Sequence, residues 1–178
     1  FGGYDFSDTM LTSDDGIARA YKDGVSMGSD LLAADSATPS FLLWAVRDAK
    51  STNLQRLQIV KGWTVNGEHS EQVYDVACSD GMTVDPLTHR CPGNSAEVDL
   101  SDCSVTADVG AAELKTVWKD PDFDASNRAF YYLRVLENPS CRWSSWDAIR
   151  AGETPRTDIP ATIQERAWSS PIWYEPAS

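Results

Sequence analysis

The chain has 178 residues, 42% of them hydrophobic, and a formal net charge of −12, which is enough apolar material for one domain with a real core. Fifteen basic residues against 27 acidic ones leave no basic face for nucleic acid and disfavour adhesion to anionic lipid. Apolar runs such as FLLWAV fall short of the roughly 18 residues a membrane span requires, so neither nucleic acid nor a membrane span is expected.

The chain opens on Phe1 rather than Met, with no targeting segment, and reads as a processed or excised piece of a longer protein. Residues 14–22, with Ser13 as a cap, predict two helical turns. A buried strand is predicted over 41–47. After the polar turn DAKSTNLQ come strands at 56–63 and 71–78, separated by the hairpin dipeptide Asn66-Gly67 and therefore paired antiparallel. Residues 114–119 alternate Leu114, Thr116 and Trp118 as a strand does, and DPDFD turns the chain into a further strand over 129–137. Residues 145–151 read as a short helix, with Ser144-x-x-Asp147 at its start and Gly152 past its end. Strands over 161–168 and 171–174 close the chain. Short strands between Gly, Pro, Asp and Asn turns, with one or two short helices, predict an all-β fold. The expected architecture is an antiparallel β-sandwich, immunoglobulin-like or jelly-roll-like, filling residues 1–178 as a single domain.

Four cysteines, Cys78, Cys91, Cys103 and Cys141, fall in or near a polar, turn-rich stretch. Zinc with His89 beside Cys91 is the sharp alternative, but no Cys-x-x-Cys pair is present, and two disulfides are the better reading. Four cysteines allow three connectivities; Cys78–Cys91 with Cys103–Cys141 is weakly favoured. Disulfides imply an oxidising compartment and export. Asn138 is followed by Pro139, so no glycosylation acceptor exists, which fits a bacterial source.

Catalytic constellations are sparse. His69 and His89 read as solvent-exposed histidines in polar loops beside turn residues, and no Gly-x-Ser-x-Gly elbow accompanies them. Asp120, Asp122 and Asp124 have the spacing of the opening ligands of a calcium loop, but position six is Ala125 and position twelve Tyr131, so the EF-hand template fails. These three are weak calcium candidates beside the plainer reading of a solvated acidic turn. The stretch ENPSCRW offers Glu137 and Asn138 at a strand end, then Arg142 between Cys141 and Trp143. A planar guanidinium beside an aromatic suits an anion or a sugar ring. Glu137, Asn138, Arg142 and Trp143 are the ligand-binding candidates. Their structural alternative is equally physical, with the tryptophans capping the sandwich, Arg142 in an ion pair and Cys141 stapling the loop.

The strings RLQIVKGW, YDVACSDG, GAAELKTVWKDPDFDASNRAFYYLRVLENPSCRWSSWDAIRAG and PATIQERAWSSPIWYEP, with FGGYDF and GVSMGSDL, resemble the C-terminal part of the bacterial domain of unknown function 3604 family. The resemblance covers nearly the whole chain. It implies an exported protein, periplasmic or extracellular, whose N-terminal domain is similar to PHP-type metallohydrolases and carries a Gly-Asp-Thr-His-x-His-type motif for several divalent metals. Those metals would activate water against a phosphoester or related bond. None of those motifs occurs here, so no cofactor is expected in this chain. The resemblance also implies that a strand precedes Phe1.

The expected function is therefore a non-catalytic module packing on the catalytic N-terminal portion of the same protein, with residues 137–143 facing its cleft. Self-association through an open sheet edge is a second expected contact. The alternative is a free-standing binding module for carbohydrate or another small ligand, using tryptophans among Trp63, Trp143, Trp146 and Trp173 as stacking platforms. An enzyme in its own right is the third reading, and no complete acid–base or metal set favours it.

Overall fold

A computed structural model describes residues 1–35 and 37–177. The elements in chain order are β1 (Gly2–Gly3), a 3-10 turn (Asp8–Leu11), α1 (Gly16–Asp23), β2 (Gly24–Val25), β3 (Asp30–Leu32), β4 (Ser40–Val46) and β5 (Leu54–Val65). They continue with β6 (Glu68–Cys78), β7 (Glu113–Lys119), β8 (Ala129–Cys141), α2 (Trp143–Ala151), β9 (Thr162–Trp168) and β10 (Ile172–Glu175). The strands form two sheets, a smaller one ordered β2-β1-β4-β7 and a larger one ordered β3-β10-β8-β5-β6, with β9 also on β8. Every pairing is antiparallel except β10 with β3.

Strand alternation explains the layering. In β4, Phe41 and Leu43 face the large sheet and meet Leu57, Ile59, Tyr131, Ile172 and Tyr174 in the main core. Leu42 points the other way, where Phe6, Met10 and Ala20 of the N-terminal turns cover it in a second apolar cluster. Rings knit the two sheets together: Phe41 lies 4.5 Å from Tyr131, and Trp118 lies 5.2 Å from Tyr74. The fold is thus all-β, two packed sheets with two short helices, as the alternation and turn residues predict.

The β5–β6 hairpin closes at Asn66 and Gly67, whose φ angles of 51° and 84° are those a type I′ turn demands. β8 is the central strand of the large sheet. It pairs with β5 along one edge, and with β10 and then β9 along the other.

Three expectations need correction. β8 does not end at Glu137; it runs on through Pro139 to Cys141, so residues 137–141 are strand rather than loop. The proline is accommodated where the β8–β9 register shifts, between Leu136 and Pro139. Helix α2 begins at Trp143, with Arg142 in the capping position, so Ser144 lies within the first turn and caps nothing. Its other end matches the sequence: Gly152 is left-handed, and its N–H reaches the carbonyls of Ala148 and Ile149. Helix α1 starts at Gly16 after Asp15 rather than at a Ser13 cap; Ser13 contributes its backbone carbonyl to the Gly16 N–H. β1, β2 and β3, two or three residues each, carry no periodic signal and were not expected.

The four cysteines pair as Cys78–Cys91 and Cys103–Cys141, both with Cα atoms 5.6 Å apart. They brace residues 79–112, a long segment with only isolated bridges such as Asp85 to Arg90 and Val98 to Val105. Such pairing fits an oxidising compartment. Among the described residues, no helix is long and apolar enough to cross a membrane.

Cross-linking across 13 and 38 residues removes unfolded-chain entropy worth about 3 and about 4 kcal/mol respectively. The double substitution Cys103→Ala with Cys141→Ala is expected to lower unfolding free energy by about 4 kcal/mol in guanidinium titrations. Limited proteolysis should then cut first within 79–112, while the β5–β8 ladder keeps its amide protection.

Candidate functional site

Glu137 and Asn138 lie at the heart of a polar knot that fastens the disulfide-braced segment to β8. Asn138 is 3% exposed. Its side-chain amide donates to the Val109 carbonyl (2.8 Å) and accepts from Asn94 (2.7 Å). Its backbone N–H donates to Asn53, and its carbonyl accepts the Thr52 hydroxyl. The Glu137 carboxylate accepts the hydroxyls of Ser51 and Thr52. Gly110 belongs to the same knot: at φ +91° a Cβ there would stand 2.6 Å from Asn53 and 2.7 Å from the Asn138 amide. Asp80 completes it by accepting the Gly110 N–H at 2.7 Å. The Ser79 hydroxyl, ahead of Gly110, holds the Asp80 carboxyl below its ordinary 3.8. The side-chain groups of Glu137 and Asn138 are thus engaged by the protein itself.

Arg142 and Trp143 stand apart from that knot at the start of α2. The Arg142 Nε donates to the Pro160 carbonyl at 3.0 Å, and the side chain lines a shallow groove with Gln164, Arg166 and Trp168. Trp143 is 74% exposed. The structure therefore splits the four ligand-binding candidates into a locked pair and a surface pair.

The three acidic residues of DPDFDAS diverge. Asp120 is buried and meets the Lys61 ammonium at 2.6 Å, with the Tyr131 hydroxyl donating to it at 2.7 Å. Asp122 accepts the Tyr74 hydroxyl at 2.7 Å, and its carbonyl accepts Lys61 at 2.7 Å. Asp124 closes its own turn on Ser126 and Asn127. Spacing that resembles a calcium loop serves instead to neutralise a buried ammonium, a group that is prohibitive to bury unpaired. Among the described residues, no group of three or more His, Cys, Asp or Glu side chains is placed to hold a metal ion.

Sequence reasoning passed over Lys61 because lysines are ordinarily solvated. The available signal was phase: Leu57, Ile59, Lys61 and Trp63 alternate onto one face of β5, so the lysine shares the apolar side. Asp75 was missed likewise. Its carboxylate, buried on β6, gathers Arg56 (2.8 Å), Gln58 (2.5 Å) and the Cys91 N–H (2.7 Å) beside the first disulfide.

A different surface carries the exposed rings. Alternation along β8 turns Phe130, Tyr132 and Arg134 to the outer face of the large sheet, away from the small one. Register sets Trp173 of β10 beside Phe130 and Trp168 of β9 beside Arg134. The same face receives Gly62 and Thr64 from β5, and Glu71 and His69 from β6. These strands bound a groove of about 520 Å³. Of the tryptophans expected to form a platform, Trp173 and Trp63 line this groove and Trp143 is exposed on α2. Trp63 is partly buried beneath Lys61, 4.9 Å away, and Trp146 packs on Arg150 at 4.6 Å. His69 is not in a loop as expected: it lies on β6, paired with Thr64 of β5 and 3.2 Å from its hydroxyl, whereas His89 packs edge-on to Tyr74.

Removing one partner of a buried ion pair costs about 3–5 kcal/mol, so Asp120→Ala is expected to destabilise by that amount in chemical denaturation. A second expectation concerns alkali. Burial first, then the neighbouring Asp120, raises the Tyr131 hydroxyl above its ordinary 10.0; burial and then the hydrogen bond to Asp122 raise Tyr74. Burial also raises Tyr4 and Tyr174. Below pH 10 both folded and unfolded chains keep these protons; above it the unfolded chain releases them first, so stability falls as pH rises. Denaturant midpoints should decline above pH 10. Absorbance at 295 nm should report fewer than the six tyrosines of the chain titrating until it unfolds.

Comparison with known proteins adds one finding. No curated protein and no solved structure gives a significant match. A family model described as protein of unknown function (DUF3604) matches residues 1–176. The chain belongs to the DUF3604 family.

Proposed function

We propose that the chain is a non-catalytic β-sandwich module, the C-terminal part of an exported, PHP-like metal-dependent hydrolase, which packs on the catalytic N-terminal portion of the same protein. Divalent metals and the hydrolytic chemistry belong to that portion. Arg142 and the exposed start of α2 are the parts of this chain assigned to its cleft.

The observation that carries the reading is the open edge of β4. β1 pairs with β4 at Gly2–Phe41 and Gly3–Ser40, and Phe1 and Leu42 exchange both backbone hydrogen bonds at 2.9 Å. Continuing the antiparallel ladder by two and by four residues turns the backbone groups of Trp44 and Val46 to this same edge. Among the described residues nothing pairs with them there. The neighbouring groove of about 270 Å³ reaches core residues Phe41, Leu43, Ile59 and Tyr131, and its rim carries the exposed apolar side chains Ile17, Tyr21 and Met27. An unpaired edge beside an open core is a surface that another strand completes. Two disulfides support export.

Hydrogen exchange tests this reading. In the chain alone, the Trp44 and Val46 amides are expected to exchange rapidly. Joined to the catalytic portion, they should slow by about two orders of magnitude or more, as amides do when drawn into a ladder. Equal rates in both forms would sink the reading. Protection in the chain alone, with a dimer by light scattering, would assign the edge to a second copy instead.

A further inference from the structure

The geometry points to a saccharide-binding groove on the outer face of the large sheet, taking a neutral, pyranose-based oligosaccharide. The face lies opposite the one that packs on the small sheet.

The floor of the groove is shaped by a missing side chain. A Cβ on Gly62 would stand 2.3 Å from the Phe130 ring, so the ring lies flat across the glycine. Beyond the groove on the same face, the Tyr132 ring lies 6.3 Å from Phe130 and almost parallel to it, at 7°. Trp173 rises beside Phe130 with centroids 5.3 Å apart at 56°. Trp173 is 46% exposed and Trp168 is 59% exposed. Aromatic rings left in water on one face of a sheet mark a ligand surface far more than scattered apolar residues do.

Polar groups on the two walls decide which ligand. Thr64, His69 and Glu71 line one side, and an Arg128–Glu175 ion pair of 2.6 Å lines the other. Rings that accept the C–H face of a pyranose, with carboxylate, imidazole and guanidinium groups at their border for its hydroxyls, make a matched set. A protein partner sealing the groove would have to bury Glu71, Arg128 and Glu175, whereas interface centres are depleted of charge. An anionic ligand would meet Glu71 and Glu175 on a chain of net charge −12. Trp168 faces Arg134, four residues along β8 from Phe130, which is about 13 Å at strand rise. The platform therefore suits several sugar units rather than one.

The test is titration of the 178-residue chain with cellohexaose and with maltohexaose, followed by calorimetry and tryptophan emission. At least one hexasaccharide should bind saturably. Trp173→Ala should weaken it by about tenfold or more, and Trp173→Phe by no more than about threefold, with unchanged melting temperature. Leu87→Ala, at an exposed site outside the groove, should leave binding unchanged. Absence of heat and spectral change with both sugars overturns the proposal, as does binding that survives Trp173→Ala.

Discussion

Lys61 is a cation on the apolar face of a central strand, and much of the architecture answers to it. Its ammonium sits between the sheets, where water cannot solvate it, so a carboxylate and further oxygen acceptors must reach it from elsewhere. Asp120 does so from the end of β7, in the opposite sheet, and the turn that follows adds the Asp122 carbonyl. The Tyr131 hydroxyl then donates to Asp120 and the Tyr74 hydroxyl to Asp122, while the Asp122 N–H donates to the other oxygen of Asp120. One buried charge thereby dictates where β7 ends, how the chain turns into β8, and which hydroxyls the inner face of the large sheet presents. Hydrophobic burial forbids a one-residue slip but would tolerate a two-residue one, which keeps every face; this ion pair does not.

The strands of seven residues and longer were legible because period-two alternation is strong over such lengths, and Asn66-Gly67 fixed the hairpin. The favoured cysteine pairing also formed. Legibility failed where the signal is too short or lies in three dimensions. β1 to β3 are two or three residues long and exist because the surrounding sheets hold them. Pro139 looked like the end of a strand, yet a register shift in the β9 ladder lets β8 pass through it. Asn138 looked like a ligand contact because a polar residue after a strand resembles a loop position. Its burial depends on Asn53, Asn94 and Val109, which lie far from it in sequence.

The aromatic groove was half visible. Trp173 is among the expected stacking residues, but nothing in the apolar run FYYL assigns Phe130 and Tyr132 to either face, and Gly62 carries no signal at all. In a run that is apolar on both phases, composition does not distinguish the inward from the outward residues. Only the partner strand does, and here the register with Gly62 and Trp173 assigns Phe130 to the outside.

The two disulfides differ in what must exist before they close. Cys78 ends a hairpin strand and Cys91 follows it 13 residues on, so loop closure brings them together at modest entropic cost. Cys103 and Cys141 are separated by 38 residues, and Cys141 ends the longest strand of the large sheet. Closing the second bridge in its native geometry requires β8 to be laid down to its last residue, with the knot at Asn138 drawn in beside it. The second cross-link is therefore a covalent record that β8 has been laid down to its end, and the first is not.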